Sequence, residues 1–194
     1  MDGGLVSMKE QGAVNHGLAN TGRVTETRQR CRVRTAGVLV PALLLGLFLL
    51  PAVKAAQDET AEVLDSAESL FKAMKLKNYP EIWMRLTGKS HKIIAEQVYK
   101  TMEKAGETGY SVALVEQDFT VGGPVARSYW NAYLDTFHVE YVLEQSTWEI
   151  GFIKKDKAEI CLLYRKAENP ARLKMLKEHN QWKVGLMETF RGRN

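Results

Sequence analysis

The clearest pattern in the chain is an alternation of apolar and polar residues between Thr147 and Phe190, interrupted by short runs of turn residues. It predicts strands whose inward sets are Trp148, Ile150 and Phe152; Ile160, Leu162 and Tyr164; Leu173 and Met175; and Trp182, Val184 and Leu186. The turns fall at Lys154-Lys155-Asp156, Glu168-Asn169-Pro170 and His179-Asn180-Gln181. Connections this short allow only hairpins, so the sheet is expected to be an antiparallel meander of about four strands. Such a sheet must bury its apolar face, and the remaining amphipathic material lies N-terminal to it.

Upstream of Thr147 the period changes to that of a helix. Leu64, Ala67, Leu70, Phe71 and Met74 form one stripe between Thr60 and Lys77, with acidic Asp58, Glu59 and Glu62 near its start. Asn78-Tyr79-Pro80 ends that run, and Pro80 opens a short second helix carrying Ile82, Trp83 and Leu86, stopped by Gly88. Ser90 is the expected cap of a third helix reaching about Ala105, with Ile93, Ile94, Val98 and Met102 inward and Gly106 after it. Between Glu107 and Gly123 the stretch from Tyr110 to Val115 reads either as strand or as helix, and Gly122-Gly123-Pro124 is a turn. From Pro124 onward Trp130, Leu134, Phe137 and Tyr141 fall on one arc, predicting a further helix whose apolar face lies on the sheet. The fold class is therefore α+β, three to four N-terminal helices packed on an antiparallel sheet.

The front of the chain is a different kind of segment. Residues 36–50 carry no charge and follow Arg28, Arg30, Arg32 and Arg34, the arrangement of a signal peptide. Val53-Lys54-Ala55 places small residues where a signal peptidase reads, so cleavage is expected between Ala55 and Ala56, with residues 33–55 as the signal peptide. The alternative is an uncleaved membrane anchor, for which fifteen apolar residues fall short of the ~20 a span requires. Residues 1–32 are polar, glycine-rich and aperiodic, read either as a disordered segment or as the result of a start assigned upstream of the true one. The folded domain is expected over 56–194, in the periplasm or secreted, touching a membrane only through an uncleaved leader.

That division changes the charge argument. Seven of the 27 Lys and Arg and three of the 23 Asp and Glu precede Ala56, leaving twenty of each and no net charge in the mature part. The basic cluster Lys154, Lys155 and Lys157 lies at a hairpin tip, so no nucleic-acid partner is indicated. Cys31 lies in the leader, which leaves Cys161 without a partner in the mature chain and marks it as a small packing residue.

Helices followed by an antiparallel sheet ending in Trp182-Lys183-Val184-Gly185 resemble the NTF2-like superfamily, from about Thr60 onward. Lys77-Asn78-Tyr79 resembles that family's common end to its opening helix, and Glu178-His179-Asn180-Gln181-Trp182-Lys183-Val184 resembles its penultimate turn, with Asn-Gln where Asn-Gly is usual. The resemblance implies a curved sheet, a cone-shaped domain and a pocket between helices and concave sheet face. It does not imply an activity, because that fold hosts isomerases, dehydratases, transport adaptors and assembly proteins.

No phosphate-cradling glycine loop, nucleophile elbow, zinc-binding helix or Cys-x-x-Cys pair occurs, so no cofactor and no metal site are expected. The weak catalytic candidates are Glu188, which shares strand parity with Trp182, Val184, Leu186 and Phe190, and His138 with Asp135 three residues before it. Either could serve as an acid or base in an apolar cone, where burial raises a carboxyl pKa. Trp83, Tyr129, Trp130, Tyr133, Trp148 and Trp182 either line a ligand pocket or fill it. The leading expectation is a non-catalytic domain that binds a small apolar ligand in its cone or a protein partner through its sheet. The alternatives are an acid/base isomerase or hydrolyase, and a structural homodimer joined by an outward patch of Ile153, Leu163 and Met187.

Overall fold

The helical stripe read at Leu64 to Met74 is the centre of α1 (Leu50–Lys75) in a computed structural model that describes residues 50–190, with side chains from Asp58 onward. The upstream segment, Cys31 and most of the signal-peptide region lie outside the described residues. Val63, Ala67, Leu70, Phe71 and Met74 recur at helical spacing and are each 1 % exposed or less. Just past the helix end, Lys77 has a positive φ of 52°, and the Asn78 and Lys77 amides bond back to the Ala73 and Met74 carbonyls.

Asn78 then caps α2 (Tyr79–Met84), and Pro80 sits in its first turn as the sequence predicts. In α3 (Gly88–Lys104) the cap is not Ser90 but Thr87, whose hydroxyl accepts from the Ser90 amide at 3.1 Å. Ser90 is buried one turn further in. The segment left open between strand and helix forms α4 (Val112–Val121), capped by Ser111 and ended by left-handed Gly122. The helix expected from Pro124 is two helices, α5 (Pro124–Thr136) and α6 (Val139–Gln145), because Phe137 and His138 leave the helical region. That break turns Tyr141 to the surface, where it is 43 % exposed. Among the described residues six helices thus precede the sheet.

The four strands β1 (Ser146–Lys154), β2 (Lys157–Tyr164), β3 (Ala171–Glu178) and β4 (Gln181–Gly185) form one antiparallel meander in sequence order. Ile160, Leu173, Met175, Trp182 and Val184 are buried on its inner face, as alternation predicts. Two details depart from it. Ile150 pairs with Ile160 but Phe152 pairs with Glu159, so Gly151 is an extra residue, a bulge that reverses parity for the rest of the strand. Phe152, expected inward, is 47 % exposed, and Ile153, expected outward, packs against the core. At the other end the last strand stops at Gly185 and the chain turns into α7 (Leu186–Phe190), so Glu188 and Met187 have no strand parity. Of the outward patch Ile153, Leu163 and Met187, only Leu163 is exposed. Cys161 is buried in β2 and is disulfide-bonded.

The cover on the sheet is also not the expected one. α1 lies along β4 and reaches β1, and α6 packs on β1 and β2, whereas α5 packs on α2 and α4. Ser66 of α1 donates to the Trp182 carbonyl at 2.5 Å, and Trp148 Nε1 donates to the Val142 carbonyl of α6 at 2.9 Å. These two bonds pin the helical layer to opposite edges of the sheet.

The Gly122-Gly123 turn is set by close approach. A side chain at Gly122 would meet Pro80 Cδ at 2.7 Å, in a residue with φ of 65°, and one at Gly123 would strike the Asp118 carboxylate. That carboxylate accepts from the Ala126 amide at 2.7 Å and so caps the start of α5 from α4. Gly122→Ala is expected to lower stability by about 1–3 kcal/mol through the left-handed backbone and the contact with a rigid proline ring. Urea denaturation followed by circular dichroism measures this, and a change within about 0.5 kcal/mol would contradict the packing of α4 on α2.

Candidate functional site

Five of the six aromatic residues singled out in the sequence belong to one continuous row. Trp83 of α2 lies 4.6 Å from Phe119 of α4, which is 5.4 Å from Tyr129 and 6.3 Å from Trp130 on α5. Trp130 meets Tyr133 at 5.6 Å, Tyr133 meets Phe137 at 5.3 Å, Phe137 meets Phe71 at 6.1 Å, and Phe71 meets Trp148 at 5.7 Å. Most of these pairs are edge-on or tilted, the arrangement ring quadrupoles favour. The row runs from the far side of the helical layer to the first strand. Trp182 stands apart on the inner face of β4, with Lys177 Nζ 5.4 Å from its ring centre.

Within the row the interior is filled with side chains. Trp130, Phe119 and Phe71 are 1 % exposed or less, and Trp83 is 5 % exposed. Tyr129 and Tyr133 keep part of their rings at the surface while their hydroxyls are desolvated. Burial pushes the Tyr129 phenol up to about 12, and burial with the neighbouring Tyr129 pushes Tyr133 upward as well. The indole N–H groups of Trp130 and Trp182 are buried without a hydrogen-bond partner.

The three polar candidates do not converge. Glu188 is half-buried on α7, where its carboxylate accepts from Thr87 Oγ1 at 2.7 Å and from Ser90 Oγ at 2.6 Å. Ser90 Oγ in turn accepts from the Met187 amide at 3.1 Å, and the Gly88 amide donates to Glu178 at 3.0 Å. Two carboxylates therefore sit at the N-terminal end of α3, where the helix dipole favours negative charge. The arrangement clamps α7 to α3 and aims at no open space. His138 is exposed at the start of α6, its ring 5.2 Å from Tyr141, which stacks 5.3 Å from Tyr164. No hydrogen bond joins it to Asp135.

Asp135 does line a recess, together with Met74, Lys75, Lys77, Leu134, Phe137, Val139 and Glu140. Its volume is about 140 Å³, half open to solvent, with an apolar floor and a rim of mixed charge. Lys75 on that rim is already paired with Glu144 at 2.6 Å, which raises its pKa. The recess lies outside the predicted aromatic pocket. Among the described residues no group of His, Cys, Asp or Glu could hold a metal ion, and no helix is long and apolar enough to cross a membrane.

A further polar residue, His91, has a built environment between two helices. His91 of α3 stacks on Trp83 with ring centres 4.0 Å apart, and its Nε2 donates to the Trp83 carbonyl at 2.6 Å. Burial holds its pKa below the usual value, against the opposing pull of that carbonyl, Glu178 and Glu116. Nothing in local spacing marks this residue, since the contact is made between two helices.

Comparison with family models, with curated proteins and with solved structures found no match to the chain.

Replacing Glu188 with Ala is expected to cost about 1–3 kcal/mol, because two buried hydroxyls lose their acceptor. A stability change near zero in urea titration would show that the clamp holds nothing. His91 has the opposite relation to pH from a salt-bridged histidine. Its folded-state pKa lies below the unfolded value near 6.5, so its contribution is fully present above that pH and is lost as pH falls below it. The loss of stability on acidification below pH ~6.5 is therefore expected to be smaller in His91→Phe than in the unaltered protein. An identical pH profile for the two proteins would contradict the burial of this ring.

Proposed function

We propose that the chain is an exported, non-catalytic α+β domain of the NTF2-like kind that acts by binding a protein partner through its sheet. The observation that carries this reading is the aromatic row, whose rings pack on one another through the helical layer, with Phe119, Trp130 and Phe71 buried, and reach the sheet only at Trp148. A buried ring such as Trp130 contributes by filling volume, with ~3–5 kcal/mol lost on truncation to Ala. The acid/base alternative requires a carboxyl or imidazole facing a cavity. Glu188 is instead bound by two hydroxyls, and His138 stands at the surface.

The outer sheet face supports a partner-binding role. Leu163 and Phe152 are 44 % and 47 % exposed there, among Glu149, Glu159, Arg172, Lys174 and Lys183, a mixture typical of non-obligate interfaces. Helices followed by an antiparallel sheet, with Trp182 buried beside the last hairpin, support the NTF2-like assignment. The basic and then apolar leader supports export.

A photo-crosslinking amino acid in place of Leu163, illuminated in cells expressing the full chain, is expected to give discrete polypeptide adducts. The same group in place of Leu76, which is 78 % exposed on the helical side, is expected to give none. Equal labelling from both positions would remove the sheet as the binding face. Native mass spectrometry of the purified protein is expected to give the mass of polypeptide only, and a retained small molecule would restore the ligand-binding cone.

A further inference from the structure

The two edges of the sheet are finished differently. At the β4 edge the Val184 amide donates to the Arg85 carbonyl at 2.8 Å and the Thr87 amide donates to the Val184 carbonyl at 3.1 Å, forming a short parallel bridge at Leu86. That edge is closed. At the other side β1 pairs with β2 alone, and no backbone group of the described residues bonds to its outer edge. An open edge strand is a template for another strand.

We propose that β1 pairs antiparallel with β1 of a second copy of this chain, joining the two sheets across a two-fold axis at Gly151-Phe152. This rests on the reading of the domain as a module that binds a partner through its sheet. The occupant is argued from charge and register. Glu149 and Lys154 are exposed and belong to no ion pair among the described residues. They are five residues apart, a spacing that in a regular strand puts side chains on opposite faces. The bulge cancels that. Glu149 pairs with Cys161 and Lys154 with Lys157, positions four apart on β2, so both face the outer side. By the same count Ile150 and Ile153, paired with Ile160 and Ala158, both face inward.

Laid antiparallel on its own copy about the bulge, the strand therefore matches itself. Each Glu149 faces Lys154 of the second copy, and each Ile150 faces Ile153 of the second copy. At the axis the exposed Phe152 ring lies over Gly151 of the second copy, which has no side chain to obstruct it. A bulge and a lysine ordinarily discourage strand addition at an edge. Here an unrelated strand would meet both as obstacles, whereas a second copy brings a matching bulge and a carboxylate opposite the lysine. The same features that exclude other strands select this one.

The test uses protein purified from cells expressing the full chain and sedimentation velocity over a concentration series, with circular dichroism to establish that each variant folds. The unaltered protein is expected to show a monomer–dimer equilibrium. Glu149→Lys and Lys154→Glu each place like charges at both symmetric contacts and are expected to weaken the dimer by about tenfold or more. Mixing the two variants restores attraction at both contacts and is expected to return the dimer, as does the double variant Glu149→Lys/Lys154→Glu. A protein monomeric at every concentration would overturn the proposal, as would a dimer indifferent to both substitutions or one that mixing does not restore. None of these results would remove a different protein partner, which the Leu163 adducts report separately. Absence of any polypeptide adduct at Leu163 would instead sink the reading on which this inference rests.

Discussion

The inner face of a four-stranded sheet cannot be left to water, and in this chain covering it decides nearly everything else. The cover is α1, laid along β4 with Phe71 reaching Trp148 on β1, and the short α6 beside it. Each fully buried ring or large aliphatic side chain in that layer contributes roughly 1.5–3 kcal/mol relative to exposure, so the layer's stability is concentrated in a few residues. Because α1 does the covering, α2 to α5 pack behind it rather than on the sheet. They need an apolar centre of their own, which the row from Trp83 through Trp130 to Phe137 provides. A domain with two helical tiers over one sheet has spent its aromatic residues on internal packing.

How much of this was legible follows the range of the interactions involved. α1, α2, α3, the four strands and the meander order are readable because each depends on periodicity or on turn residues within a few positions. The departures all depend on something farther away. Thr87 rather than Ser90 caps α3 because Ser90 is drawn inward to Glu188, ninety-eight residues later in the chain. The split of α5 from α6 lets Val139 turn into the core and Trp148 bond to Val142, neither of which is visible in an arc of apolar residues. The bulge at Gly151 changes which of Phe152 and Ile153 is buried, and a single glycine in an alternating run gives only a hint of it.

The candidate site divides along the same line. Aromatic residue type identified the members of the row, and five of the six named residues do meet, but type alone could not distinguish lining from filling. Glu188 was selected by strand parity, and parity ends at Gly185, where Thr189 inserts its hydroxyl between the Lys174 amide and the Gly185 carbonyl. The carboxylate is then carried round a helical turn to α3. His91 escaped notice for the converse reason: its partner Trp83 is eight residues away in sequence and on another helix, so the stack exists only after folding.

The periphery of this fold is not uniform. The helical side is finished by hydrogen bonds within the domain: Thr87 and Ser111 as caps, Asp118 across a glycine turn, Glu178 and Glu188 at the head of α3. The sheet is finished at β4 by the Arg85–Thr87 segment, which exists there because Leu86 must be buried and carries its backbone alongside Val184. No comparable apolar anchor brings a segment of the described chain against β1. The asymmetry is thus a consequence of where Leu86 lies between α2 and α3. Closing one edge with the chain's own backbone leaves the other as the only place among the described strands where main-chain donors and acceptors face outward in a row.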